Sequence, residues 1–345
     1  MLLIVYLCAS ISNLIIMNII RFWYKNARPT ALPQSLLPAI LAFCMASRSE
    51  GFSVLLGILA ILGVVAGHLS MNLFDDYFDY KVQKTDFRDR LQHKGMRARI
   101  FKCPYLNSGE ATIKQLLIAC IVFFAIALSF GIVIYLYRGN VILLLAAITA
   151  ILGISYSGAP LKLSYRGFGE ILIGIMFGPM LMTGVFYAAC GSLDWSVMFV
   201  SIPVGLLVLN IVYAHAIMDY EPDKEVGKMT FAVLLKDKEL MLFCLLLILI
   251  SAFLLVVGGV IAGYLSPYYL LSLLTIPMAV SLYHLMTEFI RNPKRQFTPR
   301  FWMGPMGNWQ KLQAIGIDWF MIRWLLARNL LSFFCIIMMI VSLAL

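Results

Sequence analysis

Runs of eighteen or more consecutive apolar residues recur along nearly the whole of this 345-residue chain. Each is long enough to cross the ~30 Å hydrocarbon core of a bilayer as a helix. Inside lipid the backbone must satisfy its own hydrogen bonds, which leaves only helices and closed barrels. A barrel would show short alternating segments, and these runs are long and continuous. The expected fold is therefore all-α, a polytopic transmembrane bundle of about nine spans at roughly 31–48, 53–75, 114–136, 140–157, 168–190, 196–218, 239–263, 266–289 and 324–344. It reads as one membrane-embedded domain over 1–345. Residues 1–20 form an extra apolar stretch, either another membrane-associated helix or an over-extended start, since Met17 opens a plausible N-terminus of its own.

Charge sets the orientation. The chain is 62% hydrophobic and only 13% charged, yet carries a net charge of +10. The Lys and Arg concentrate in alternate loops: Arg21, Lys25 and Arg28 before the first span, eight residues from Lys81 to Lys102 after the second, Lys162 and Arg166 after the fourth, four lysines from Lys224 to Lys238 after the sixth, and six residues from Arg291 to Arg323 after the eighth. The remaining loops hold Arg48 and Arg138. The positive-inside rule places the first set in the cytoplasm and the C-terminus outside, in a plasma (inner) membrane. Such a distribution serves topology and anionic lipid or substrate rather than nucleic acid. Seven scattered cysteines, without a CxxC or Cys/His cluster, give neither a disulfide framework nor a zinc site. The Trp- and Arg-rich loop 290–323 reads as an interfacial anchor.

Against this background two acidic clusters stand out. "MNLFDDYFDYK" closes the second span, with Asn72, Asp75, Asp76 and Asp79 at i, i+3, i+4 and i+7, offsets that share one helix face. "HAIMDYEPDKEVGK" closes the sixth, with Asp219 and Asp223 at i, i+4. Unpaired acids at a bilayer surface are costly. Mg²⁺ relieves the repulsion, because it takes one or two carboxylates and completes its shell with substrate phosphates. Asp75, Asp76, Asp79, Asp219 and Asp223 are the candidate metal ligands, with Asp76, Asp79, Asp219 and Asp223 the catalytic core. Both clusters end even-numbered spans and so open on the same side. Basic residues after each cluster suit the remaining oxygens of a diphosphate.

The pair of motifs resembles the UbiA superfamily of intramembrane prenyltransferases, which carries an Asn-Asp-x-x-Asp type motif after its second helix and Asp-x-x-x-Asp after its sixth. "ARPTALPQS" (Ala27 to Ser35) is similar to the family's lead-in to its first helix, and "KCPYLNSGEAT" (Lys102 to Thr112) to its stretch before the third. "YRGFGE" (Tyr165 to Glu170) followed by "FGP" (Phe177 to Pro179) resembles the MenA branch, which prenylates 1,4-dihydroxy-2-naphthoate. This chain differs in having Asp75 where that branch tends to have Asn, and "HAIM" (His215 to Met218) where it tends to have Asn-Asn-x-Arg.

The resemblance implies a Mg²⁺-dependent transfer of a polyprenyl group from its diphosphate to an aromatic acceptor, most closely the naphthoate of menaquinone biosynthesis, at the cytoplasmic side. It implies diphosphate contacts from Asn72, Tyr156, Lys162, Arg166 and Lys228. His68 and His215 are acceptor-side candidates, and Glu170 either orients Arg166 or packs. Other acceptors of the superfamily (4-hydroxybenzoate, homogentisate, haem, a glycerol phosphate) remain open. The alternative from another class is an ion-coupled carrier, whose acids tend to lie near the midplane rather than at helix ends. Phosphatidyl transfer from a CDP-alcohol would need a single longer Asp-Gly-x-x-Ala-Arg motif, which the chain lacks.

Overall fold

A computed structural model describes residues 17–82, 103–158, 160–225, 227–292 and 295–345, with backbone alone at Asp79 and Val82. Among the described residues nine apolar helices follow in order: α1 Pro33–Ala46, α2 Val54–Val82, α3 Ile113–Arg138, α4 Asn140–Ser157, α5 Gly169–Cys190, α6 Trp195–Met218, α7 Lys238–Ile261, α8 Pro267–Arg291 and α9 Asp318–Ala344. All but the 14-residue α1 are long enough and apolar enough to cross a bilayer. The chain is an integral membrane protein. The described residues contain no strand, only one isolated bridge between Arg166 and Met229.

Local signals fix the helix ends. Thr112 and Gln115 form a reciprocal capping box at the start of α3, Thr112 N–H donating to Gln115 Oε1 at 2.8 Å and Gln115 N–H to Thr112 Oγ1 at 3.3 Å. Asp194 caps α6 by accepting from Ser196 N–H, and Asp237 caps α7 by accepting from Leu240 N–H, each at 2.7 Å. These two acids therefore have ordinary structural work at helix N-termini.

Helix α6 is the hub. Its apolar window is 72% buried, against 17% for the lipid-facing α3. It packs on α5, α7 and α9, while α1 fits between α5 and α9 and α2 lies along α3 and α5. Lipid tails are as apolar as leucine, so close backbone approach must hold such helices together. Glycines provide it where α5 crosses α6. A Cβ on Gly205 would stand 2.5 Å from the Gly174 carbonyl, and one on Gly178 would run into the Gly205 backbone. At the same crossing Pro179 supplies no N–H, and Met176–Met180 widens into a π-helical turn.

A satellite core holds the segment that leads into α3. Leu69, Leu73, Cys103, Tyr105, Leu106 and Leu116 bury together, with Phe22 and Trp23 of the helix at 17–26 packed against them. The extra N-terminal stretch of 1–20 falls mostly outside the described residues, as does the loop 86–101.

The last helix departs from the sequence expectation. α9 starts at Asp318, six residues before the expected 324, so Arg323, counted above as a loop cation, lies inside a helix and is 2% exposed. It is tolerated because Nε donates to the Leu285 carbonyl at 2.9 Å, Nη1 donates to the Trp319 carbonyl, and the Phe289 and Phe297 rings flank the guanidinium at 5.1 and 5.9 Å.

Candidate active site

Two helix ends meet over one cavity of about 310 Å³. From α2 come Asn72 and Asp75, and from the end of α6 come Asp219 and Asp223. The same wall carries Arg28, Tyr156, Glu170, Lys228 and Thr230. Asp75 of the first cluster and Asp219 and Asp223 of the second thus face a shared space.

The second cluster is built by a break in α6. Asp219 follows its last residue, Met218, and the chain resumes as a short helix, Tyr220–Glu225, through an i→i+4 bond from Asp223 N–H to the Asp219 carbonyl at 2.8 Å. Asp219 and Asp223 therefore stack one turn apart, both buried. His215, a turn earlier, sets its Nε2 3.2 Å from Asp219 Oδ2. Gly227, at φ +71°, turns the backbone so that Lys228 N–H donates to the Asp223 carbonyl at 2.9 Å, and Lys228 Nζ comes within 4.0 Å of the Asp223 carboxylate.

The first cluster divides. The sequence spacing put Asn72, Asp75, Asp76 and Asp79 on one face toward one spot, and the structure corrects this for Asp76. Each residue advances about 100° around a helix, so Asp75 and Asp76 diverge. Asp75 turns to the cavity, accepting from Ser157 Oγ at 3.0 Å and from Arg28 at 3.2 Å. Asp76 turns away, 3% exposed and absent from the cavity wall. It accepts from the Tyr105 hydroxyl at 3.0 Å and pairs with Arg28 at 3.3 Å. The side chain of Asp79 lies outside the described set, though its backbone belongs to α2.

Arg28 is the residue the sequence undervalued, since it read as a topology cation. Its Nη2 reaches Asp75, Asp76 and the Asn72 carbonyl, the last at 2.5 Å, while Asn72 Nδ2 donates back to the Ala27 carbonyl at 2.9 Å. Its backbone sits at φ +59°, a left-handed conformation unusual for a non-glycine residue, directly before Pro29. Burial by itself pulls the guanidinium pKa down; Asp76 and Asp75 outweigh it and hold the group above its usual range. Burial, and then Asp76, push the Tyr105 phenol up, so it stays a donor. The Arg-Pro pair at 28–29 is the signal that could have singled out Arg28.

Two other expected contacts fall elsewhere. Lys162, at φ +46°, and Arg166, whose Nη2 donates to the Pro160 carbonyl at 3.4 Å, do not line the cavity. Glu170 does not orient Arg166. Its two oxygens accept from Phe231 N–H at 3.2 and 3.3 Å, pinning the start of α5 to the N-terminus of the short helix Phe231–Leu235.

The donor chemistry fits a hard cation. Carboxylate and amide oxygens from two helices line one cavity, yet among the described residues no three acidic, His or Cys groups converge closely enough to cage an ion alone. That is the arrangement suited to Mg²⁺, which completes its octahedron with substrate oxygens.

A membrane bundle with nine apolar helices among the described residues, two of whose acidic ends share a cavity, defines a membrane enzyme with its site at those ends. Residues 35–304 match the UbiA prenyltransferase family, and the chain belongs to that family. It is a membrane prenyltransferase. It is 26% identical over 262 residues to the 1,4-dihydroxy-2-naphthoate octaprenyltransferase of Bacillus subtilis, covering 74% of this chain and 79% of that one. It is also 26% identical over 276 residues to the UbiA prenyltransferase domain-containing protein 1 homolog of Drosophila melanogaster, with 74% and 68% covered. Its fold is similar to that of a UbiA homolog from Archaeoglobus fulgidus solved with GPP and Mg²⁺: TM-score 0.61, 16% identity, 94% and 99% covered.

Proposed function

We propose that this enzyme transfers a polyprenyl group from its diphosphate to 1,4-dihydroxy-2-naphthoate, with Mg²⁺, at the cytoplasmic face of the plasma membrane. The observation that carries the reading is the single cavity lined by Asn72 and Asp75 from one helix end and Asp219 and Asp223 from the other. The acceptor is supported by the names of relatives in four bacteria, three of them 1,4-dihydroxy-2-naphthoate octaprenyltransferases besides that of Bacillus subtilis. The cytoplasmic assignment rests on the loop cations.

The residues divide the work. Asp75, Asp219 and Asp223, with Asp79 by its place on α2, hold the cations. Lys228 and Tyr156 reach diphosphate oxygens, and Arg28 keeps Asp75 oriented. Asp76 supports Arg28 from behind the wall. Mg²⁺ held by those carboxylates would supply positive charge to the leaving diphosphate. The allylic C–O bond breaks with its electron pair on oxygen, and the electron-rich ring carbon bonds to the allylic carbon and gives up its carboxyl group as carbon dioxide. The apolar floor, Ile173, Met176 and Phe177, excludes water that would otherwise trap the cation. Lys162 and Arg166 are not among the residues that line the cavity and take no part in this reading.

The test is an assay of membranes with radiolabelled prenyl diphosphate, a panel of aromatic acids, and Mg²⁺ or EDTA. Product with the naphthoate, lost in EDTA, is expected. Turnover of another acid but not this one refutes the acceptor, and EDTA-resistant turnover refutes the metal.

A further inference from the structure

Below the acids the same cavity holds a buried histidine. His68 lies one helical turn, about 6 Å, deeper than Asn72 on α2. It is 8% exposed, it lines the cavity, and the Phe177 ring packs against it at 4.9 Å. Its one hydrogen bond among the described residues joins Nδ1 to Ser35 Oγ of α1 at 2.6 Å.

The tautomer follows from counting partners. The Leu32 carbonyl near Ser35 already accepts two backbone N–H groups, from Ser35 at 3.0 Å and Leu36 at 2.8 Å. A carbonyl oxygen has two lone pairs, so both are used. The Ser35 hydroxyl, also 3.2 Å from that carbonyl, finds its better acceptor in Nδ1. An imidazole that accepts at Nδ1 carries its proton on Nε2. Nε2–H has no protein acceptor among the described residues and is left for a partner in the cavity that His68 lines. The π-helical turn of α5 is what brings Met176 and Phe177 together onto this floor. The result is an apolar floor of Met176 and Phe177 with the His68 imidazole beside it.

We propose that His68, fixed by Ser35, donates Nε2–H to a ring oxygen of the aromatic acceptor and sets that ring on Phe177 below the diphosphate. This rests on the prenyl-transfer reading given above and adds the acceptor subsite to it. His68 moves no proton here; it selects and orients an oxygen-bearing ring.

The test is steady-state kinetics on purified protein, using whichever aromatic acid the wild type turns over, so that failure of the naphthoate assignment leaves it standing. His68→Leu keeps bulk and loses the donor. Its kcat/KM for the acceptor should fall about 10- to 100-fold, while KM for prenyl diphosphate stays within about twofold. His68→Gln places an amide N–H near the Nε2 position and should recover to within about threefold of wild type. Ser35→Ala frees the tautomer and should fall between them. Unchanged acceptor kinetics in His68→Leu overturn the inference, as do equal losses for both substrates, no rescue by Gln, or a wild type that turns over no aromatic acid.

Discussion

Removing Arg28 should cost stability before it costs anything else. Arg28→Met retains the stem and the left-handed backbone, so the strain at φ +59° is common to both proteins. What changes is the charge facing two carboxylates at 3.2 and 3.3 Å. Asp75 borders the cavity and can rehydrate. The Asp76 carboxylate, 3% exposed, is left among the described residues with the Tyr105 hydroxyl. Stranding a buried charge by deleting its partner costs about 3–5 kcal/mol. Replacing that charge with an amide leaves a buried polar group short of partners, worth about 1–2 kcal/mol. Arg28→Met with Asp76→Asn should therefore be more stable than Arg28→Met alone, by about 2 kcal/mol. For a chain of this length that scales to roughly 2–4 °C, against a fall of about 4–8 °C for the single variant. Thermal unfolding in detergent, read by size-exclusion fluorescence, measures both. A double variant no more stable than Arg28→Met, or a single variant within 1 °C of wild type, refutes the assignment of Asp76 as a supporting rather than cavity-facing carboxylate.

Other outcomes follow from the same geometry. Asp219→Ala and Asp75→Ala should each lower turnover at least 100-fold with thermal stability within about 2 °C of wild type, checked by labelled product and unfolding side by side. Tyr105→Phe should lose about 1–2 kcal/mol in unfolding while KM for prenyl diphosphate is unchanged, because the hydroxyl touches Asp76 and not the cavity. Gly205→Ala puts a Cβ 2.5 Å from the Gly174 carbonyl and should cost about 1–3 kcal/mol, whereas Gly184→Ala, with nothing within 4 Å, should be neutral in the same melt.

The sequence by itself determined the bundle, because bilayer thickness and backbone hydrogen bonding leave a chain of long apolar runs almost one choice. It located both acidic helix ends, since carboxylates are too costly there to be incidental. Helical spacing could not decide which of two adjacent acids faces inward. Asp75 and Asp76 differ by about 100° of rotation, and α2's packing against Tyr105 and Arg28 set that rotation. Nor could it foresee that Arg28, forty-seven residues from Asp75, would hold that carboxylate, or that Glu170 would leave Arg166 for the Phe231 N–H. Those partners are joined by the crossing of α1, α2, α5 and α6, and a contact between distant segments exists only once the helices have packed. His68 shows the same limit: one histidine in an apolar run has no meaning until Ser35 fixes its ring and the turn at Met176–Met180 brings Phe177 beneath it.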